Sequence, residues 1–165
     1  MKLIIGSVIV LSLVILFLFA LFPSDISVTR VVQIGAPVTD VRKKITDLRQ
    51  WKSWNEFVNH PSRGKVLDSA IDQRVDSTFI NFAGAEVRLV GVNGDSVNTV
   101  WRRGEDSFDG LFYLNETGGQ TIVEWTLHFH IKWYPWKKLA SMFYDKQLGP
   151  VMEKSLLNLK EELSR

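Results

Sequence analysis

The sequence has no cysteine, which excludes disulfide bridges, thiolate metal sites and a cysteine nucleophile. It also lacks a dense block of basic residues: the formal net charge is only +2, and the basic pairs are short and scattered. Nucleic-acid-binding domains usually concentrate positive charge on one face, so the composition does not favour that class. Phosphate-binding glycine loops, dinucleotide fingerprints, zinc-protease motifs and nucleophile elbows are absent as well, and no cofactor is indicated.

A long uncharged apolar run is present near the start of the chain. Residues 3–22 read LIIGSVIVLSLVILFLFALF, and a helix of that length extends over ~30 Å, the hydrocarbon thickness of a bilayer. No small-residue cleavage pattern follows near Ala20, so the sequence predicts an uncleaved transmembrane anchor over residues 1–24 and not a signal peptide. Lys2 precedes the run, and the positive-inside rule then favours a cytoplasmic N-terminus with the domain outside the cytoplasm.

The remaining residues, 25–165, predict one α+β domain. Alternating apolar and polar side chains indicate a strand over 26–34, and helical spacing indicates two short helices between Val38 and Phe57. An amphipathic helix closes the chain, after a kink or a fresh start at Gly149-Pro150. An antiparallel meander lying against this helix is the expected architecture. Turn signals separate the meander into strands over 75–82, 85–92, 97–103, 108–114 and 120–133.

The longest predicted strand shows which of its faces is the core face. Thr121 and the alternate residues to Trp133 are mostly apolar, and because side chains alternate across a strand, they share one face. His128 and His130 lie on the opposite face, which favours surface histidines over a metal pair, and no metal site is predicted. The core face offers no catalytic acid or base. A buried arginine–carboxylate pair remains an open alternative for the polar strand residues whose facing is uncertain: Asp76, Glu86, Arg88, Arg102 and Asp109.

Three stretches resemble the START-like superfamily, also called SRPBCC, which includes polyketide cyclases, dehydrases and lipid-transport proteins. They are residues 34–41, the tryptophan pair within 47–55, and residues 118–125 together with the C-terminal helix. The resemblance covers the chain from about Ile26 to its end. It implies the helix-grip fold, in which a curved antiparallel sheet surrounds two short helices and a long C-terminal helix, with a largely apolar cavity between sheet and helix.

We expect a membrane-tethered protein that binds a hydrophobic small molecule or lipid. The resemblance implies the class of ligand, and the apolar run over residues 3–22 predicts the tether, which the simplest soluble members of the superfamily lack. No catalytic residues are predicted, because the core face of the longest strand offers none. Alternatives are a cyclase- or dehydratase-type enzyme using the same cavity, or an interaction domain with a filled core. Trp51 and Trp54 are three residues apart and share a helix face; packing is favoured for Trp54, and for Trp51 both packing and ligand contact stay open. The residues expected to line or border the cavity are Trp51, Phe79, Trp101, Phe112, Trp125, Leu127, Phe129, Met152 and Leu156.

A second aromatic segment precedes the closing helices. Tryptophan and tyrosine favour the membrane interface and lysine favours anionic head groups, so we expect this segment to contact the membrane. The alternative is that it covers one end of the sheet while its lysines begin the next helix in water. The residues are Trp133, Tyr134, Trp136, Lys137 and Lys138.

Overall fold

The computed structural model describes residues 2–20, 24–59, 75–82, 84–131 and 134–164. Helices and strands follow one another in the predicted order, and the α+β architecture is confirmed. The helices are α1 Lys2–Ala20, α2 Val38–Thr46, α3 Trp51–Trp54, α4 Glu56–Asn59, α5 Pro135–Ser141 and α6 Tyr144–Leu163, with a 3₁₀ turn at Leu48–Gln50. The strands are β1 Asp25–Ile34, β2 Val75–Asp76, β3 Phe79–Phe82, β4 Ala85–Asn93, β5 Ser96–Arg103, β6 Asp106–Thr117 and β7 Gln120–His130.

The strands form one antiparallel sheet in the order β1-β7-β6-β5-β4-β3-β2. Strands β2 to β7 are a simple meander, whereas β1 pairs with β7 along its whole length, from Asp25 opposite His130 to Ile34 opposite Thr121. The β6–β7 connection has only Gly118 and Gly119, both with positive φ (63° and 76°). A two-residue hairpin with positive φ at both positions matches the right-handed twist of its strands, and glycine adopts it without steric cost.

Period-two alternation holds along β7 as predicted. Thr121, Val123, Trp125, Leu127 and Phe129 are buried on one face, and Ile131, just beyond the strand, is buried as well. The strand ends at His130, three residues earlier than predicted; Trp133 lies outside the described residues. The inner face of the sheet therefore supplies most of the core.

Helix α6 packs across β1 and buries Met152, Leu156 and Leu159. It starts at Tyr144, so Gly149 and Pro150 lie inside the helix and do not begin it. Side-chain hydrogen bonds hold the short helices α3 and α4 against α6. Ser155 Oγ accepts a hydrogen bond from the Glu56 amide at 2.9 Å, and Asn158 Nδ2 donates to the Trp54 carbonyl at 3.2 Å.

Helix α1 contacts α5 and leaves large apolar side chains exposed around its surface, including Ile4, Val10 and Leu13. Its last residue is Ala20, and residues 21–23 lie outside the described part of the chain. Over the residues that the structure describes, no helix has both the length and the apolar character expected of a membrane span. The predicted transmembrane helix over residues 3–22 is therefore not supported.

Candidate functional site

The two tryptophans of α3 belong to the packed core. Trp51 and Trp54 are both fully buried, with ring centroids 5.4 Å apart. Trp51 Nε1 donates a hydrogen bond to the Ile45 carbonyl at 2.9 Å, which joins α3 to the last turn of α2. Because the ring is buried and its one polar atom is used by the backbone, Trp51 serves packing, as Trp54 does.

Trp101 connects this core to the surface of the domain. Its ring centroid is 5.7 Å from that of Trp51 on one side and 5.7 Å from that of Phe108, stacked, on the other. Phe108 in turn contacts Phe129 at 4.6 Å, and Phe129 contacts Tyr144 at 4.9 Å. A continuous series of aromatic rings thus extends from α3 to the first turn of α6.

A small hydrogen-bonded group sets the orientation of the Trp101 ring. Trp101 Nε1 donates to Thr99 Oγ1 at 3.1 Å, and Thr99 Oγ1 donates to the Gly110 carbonyl at 3.0 Å on the neighbouring strand. A Cβ atom at position 110 would lie 2.7 Å from Trp101 Nε1, so only glycine leaves room for the ring there. The sequence offered no signal for this arrangement beyond a glycine within a strand.

A cavity of about 260 Å³ lies where this aromatic series reaches the surface. It sits at the end of the sheet that carries the β5–β6 turn, between that turn, the end of β7 and the start of α6. Its floor is apolar and mostly buried, whereas its rim is polar. The floor residues are Phe57, Phe82, Ala85, Trp101, Phe108, Phe129, Ile131, Tyr144 and Leu148, and the rim residues are Arg102, Arg103, Asp106, Ser107, His130, Lys137 and Gln147.

One ion pair crosses the rim. Lys137 Nζ of α5 lies 2.6 Å from Asp106 Oδ1 at the start of β6. The hydrogen bond that Lys137 donates to this carboxylate raises the pKa of Lys137 above its ordinary value. Asp106 is largely exposed and Lys137 is about one-third exposed, so solvent screens the pair and it contributes little stability. It links α5 to the β5–β6 turn on one side of the cavity.

The structure places the predicted cavity residues in three groups. Trp101 and Phe129 line the cavity. Phe79 is on the outer face of the sheet, where Arg88 lies 5.2 Å from its ring centroid, because Ile80 and Phe82 are the inward residues of β3. The others are buried in the core behind the cavity floor: Trp51, Phe112, Trp125, Leu127, Met152 and Leu156.

The predicted membrane-interface segment is partly exposed. Tyr134 and Trp136 are stacked with their centroids 5.1 Å apart, and both are exposed. Lys137 is on the cavity rim, as described above, whereas Lys138 is buried, with 6% of its surface exposed. Trp133 lies outside the described residues.

The polar strand residues do not form a buried pair. Arg88 and Glu86 form an ion pair on the outer face, and Asp76, Arg102 and Asp109 are exposed. The only carboxylate among the described cavity residues is Asp106. His128 is exposed, and His130 Nδ1 lies 2.7 Å from Asp25 Oδ1 at the surface.

Of the floor residues, the sequence predicted only Trp101 and Phe129 as cavity residues, and it assigned none of the basic rim residues to the cavity. Phe57, Phe82 and Phe108 are aromatic residues near the ends of their elements, at the same end of the sheet as Trp101. A signal was available in β6, where Phe108 shares the inward face with Phe112. The pair Arg102-Arg103, set beside a hairpin turn, was the second available signal.

Comparison with known proteins agrees with this architecture. A family model described as polyketide cyclase/dehydrase and lipid transport matches residues 25–164. No curated protein matches the sequence.

Solved structures share the fold at low sequence identity. A START superfamily protein from Mycobacterium smegmatis has a TM-score of 0.59 at 12% identity, covering 84% of this chain and 97% of that one. CalU16 from Micromonospora echinospora has a TM-score of 0.53 at 16% identity, covering 81% and 71%. DynU16, from the dynemicin biosynthetic locus, has a TM-score of 0.58 at 14% identity; the match covers 84% of this chain but only 47% of DynU16. The resemblance to the START-like superfamily is confirmed.

Proposed function

Because the chain belongs to the polyketide cyclase/dehydrase and lipid-transport family over residues 25–164, we propose that it binds a hydrophobic small molecule or lipid in the cavity beside the β5–β6 turn. The observation that carries the proposal is a partly open cavity with an aromatic floor, continuous with the core through Trp101. Apolar surface gains ~25 cal/mol per Å² when it leaves water, so such a floor favours an apolar guest. A concave apolar site with a few polar groups at its edge is the usual form of a small-molecule site.

The cavity volume limits the size of the guest. At about 260 Å³, it is slightly below the ~300–1,000 Å³ typical of ligand sites. The aromatic side chains behind the floor are fully buried and closely packed, so the space between the sheet and α6 is mostly filled by the protein. The expected guest is therefore a short chain, a single ring system or one end of a longer lipid.

Binding without catalysis is favoured over a cyclase or dehydratase. Acid–base catalysis needs a titratable group that faces the reacting atoms. Among the described cavity residues, the one carboxylate, Asp106, is held by Lys137 at the rim. His130 is also on the rim, and it is paired with Asp25 and exposed to solvent.

A cavity-filling substitution tests the proposed binding. The probe is 8-bromooctanol, a neutral amphiphile whose bromine quenches tryptophan fluorescence on contact, titrated into the full chain in non-ionic detergent micelles. Ala85→Phe in β4 places a ring in the cavity, whereas Val90→Phe in the same strand adds a comparable ring at an exposed position.

We expect saturable quenching in the wild type and in Val90→Phe, and at least tenfold weaker quenching in Ala85→Phe. Equal quenching in all three proteins would overturn the proposal, because the probe would then be contacting tryptophan elsewhere. Absence of saturable quenching in the wild type would overturn it as well.

Attachment to a membrane is the second part of the proposal. It is supported by the uncharged sequence of residues 3–22 and by the apolar side chains that α1 leaves exposed. Helix α5, which α1 contacts, exposes Trp136 and Leu139 and also carries Lys137 of the cavity rim. A cavity beside such a surface can receive its guest from lipid.

Fractionation of the cell of origin tests the attachment. The full chain is expected to remain with membranes after alkaline carbonate washing, and recovery in the wash would contradict the proposal. Lys2 on one side of the apolar run favours a domain outside the cytoplasm. Protease added to intact cells or to sealed vesicles of the right orientation should then cleave the domain.

A further inference from the structure

The cavity rim carries more basic than acidic side chains. Arg102 and Arg103 at the end of β5 and Lys137 of α5 face a single carboxylate, that of Asp106. The floor below them is apolar and aromatic. A guest whose apolar body lies on this floor must place its polar end among these cations.

Arg103 is the rim cation best placed to bind a head group. It follows Trp101 by two residues in β5, so its side chain leaves the strand on the same face, ~7 Å further toward the turn. Arg102 leaves on the other face, and it lies opposite Glu86 in the β4–β5 pairing. Arg103 therefore extends from the cavity wall itself, while Arg102 flanks it.

The acidic neighbour of Arg103 is already engaged. Asp106 is opposite Arg103 in the β5–β6 pairing, yet its Oδ1 atom lies 2.6 Å from Lys137 Nζ. Across the described residues, no carboxylate lies within ion-pair distance of either rim arginine. Arg103 is exposed and lines the cavity, and Asp106, its cross-strand neighbour, is paired with Lys137 instead.

We propose that the cavity selects amphiphiles with an anionic head group, a carboxylate or a phosphate monoester, and that Arg103 binds this group. A guanidinium presents a planar pair of N–H donors that matches two oxygens of such a group, which a hydroxyl or an ammonium cannot offer. The inference rests on the proposed function, because the apolar body must occupy the floor. It adds the chemical class of the guest and the residue that recognises it.

The test compares three probes that differ only in their head group. They are 8-bromooctanoate, 8-bromooctanol and 8-bromooctylammonium, each titrated against the full chain in non-ionic detergent micelles and followed by tryptophan quenching. The ratio of apparent Kd between variant and wild type is measured for each probe. Partition into the micelle is the same for all variants, so it cancels in this ratio. For the comparison of the three probes on the wild type, each apparent Kd is first corrected with the micelle partition coefficient of that probe, measured without protein.

Arg103→Gln is the test variant. Lys160→Gln is the control, because it also removes one positive charge but at an exposed position of α6. Lys160 lies ~24 Å along the helix from Tyr144, a residue of the cavity floor. Arg103→Gln is expected to raise the apparent Kd of 8-bromooctanoate about tenfold and to leave that of 8-bromooctanol unchanged. A tenfold change corresponds to the loss of one charge-assisted hydrogen bond. Lys160→Gln is expected to change neither. The ammonium probe is expected to bind the wild type more weakly than the alcohol does. An octyl phosphate competitor displaces the probes more effectively than octanoate if phosphate is the natural head group, and less effectively if it is carboxylate.

Three further outcomes separate this inference from the proposed function. Head-group selection would be overturned if Arg103→Gln and Lys160→Gln weakened binding of 8-bromooctanoate equally. It would also be overturned if the wild type bound all three probes equally. The proposed hydrophobic site would stand in both cases. Failure of every probe to quench would overturn both. Arg103 is exposed, so Arg103→Gln is expected to unfold at the same urea concentration as the wild type. If this variant is less stable, the comparison of the three probes on the wild type still tests head-group selection.

Discussion

Gly110 lies in β6, next to the strand that carries Trp101. Replacing Gly110 by alanine is expected to displace Trp101, which forms part of the cavity wall. The new Cβ would lie 2.4 Å from Thr99 Oγ1 and 2.7 Å from Trp101 Nε1, whereas non-bonded heavy atoms settle at ~3.5–4.0 Å. Both side chains must therefore move by about 1 Å. Thr99 is buried and has no open space to enter, whereas the Trp101 ring can shift only toward the cavity that it lines.

The expected cost follows from two effects. Overpacking a buried site costs ~1–3 kcal/mol, and a buried indole N–H that loses its acceptor costs ~1–3 kcal/mol more. Since the two overlap, we expect the free energy of unfolding to fall by about 3 kcal/mol, which lowers the Tm by roughly 10 °C for a domain of this size. The same movement of Trp101 should weaken binding of 8-bromooctanol.

Urea unfolding, followed by tryptophan fluorescence and far-UV circular dichroism, measures the effect. Gly91→Ala is the matched control, because Gly91 is also within a strand, has an ordinary φ and has nothing within 4 Å of the new Cβ. We expect Gly91→Ala to be neutral or slightly stabilising. Equal stability of the two alanine variants would refute the argument that Gly110 is there to make room for Trp101.

Three other predictions concern stability. Gly149→Ala in α6 is expected to unfold within ~1 kcal/mol of the wild type, because the new Cβ meets only the end of the long Arg30 side chain and alanine favours the helix. That side chain can shift together with its ion-pair partner, the exposed Asp145. A loss above ~2 kcal/mol in urea would contradict this. Thr121→Val should cost ~1–3 kcal/mol in the same assay, since it removes the 2.7 Å hydrogen bond to the buried Ala36 carbonyl, and a neutral result would be evidence against that bond. Asp47 has its pKa lowered to about 2 by hydrogen bonds from Arg49 and Gln50, so its contribution is complete above pH ~4 and is lost as the pH falls toward 2. The free energy of unfolding of Asp47→Asn, measured with urea, should therefore fall less steeply than that of the wild type between about pH 4 and 2. The difference should be less than ~1 kcal/mol, because Arg49 is exposed. An equal decrease in both proteins would contradict the assignment.

The inner face of the sheet was predictable because a strand alternates strictly. In β7 the period places Trp125 and Leu127 inward whatever packs against them, and both are buried. Short strands gave weaker signals. β3 has only four residues, and the inward pair is Ile80 and Phe82, which puts Phe79 on the outer face.

The same periodicity could not predict which inward residues of a strand are covered by helices and which line the cavity. Phe108 and Phe112 share the inward face of β6, ~13 Å apart. Phe112 is covered by Trp51 and Trp54, whereas Phe108 reaches the cavity. Which of two inward residues meets a helix depends on where α3 and α4 lie, and that position is set by their contacts with α6, far away in sequence.

The polar part of the site depended on tertiary structure as well. From the sequence, Arg103 was one of several scattered basic residues, Arg102 was a candidate for a buried arginine–carboxylate pair, and Lys137 was a predicted membrane-interface lysine. Asp106 and Lys137 are 31 positions apart and come together only when α5 folds over the β5–β6 turn. The local pattern, two arginines beside a hairpin turn, could indicate only that Arg103 lies at this end of the sheet; that Asp106 is paired with Lys137 and not with Arg103 depends on the tertiary contact.

Pairing of β1 with β7 also determines when the domain can form during synthesis. The partners are 87 to 105 positions apart in the chain, as the side-chain contacts Gln33–Gln120 and Asp25–His130 record. On the ribosome, the first strand is therefore made long before its hydrogen-bonding partner, and its backbone donors and acceptors must wait for the last hairpin to emerge. Contacts so distant in sequence slow folding, and an unpaired strand edge is open to association with other chains in the meantime. A nascent chain that stops before Gln120 leaves β1 without its neighbour, so its early segments should be sensitive to protease and should bind chaperones until β7 is complete.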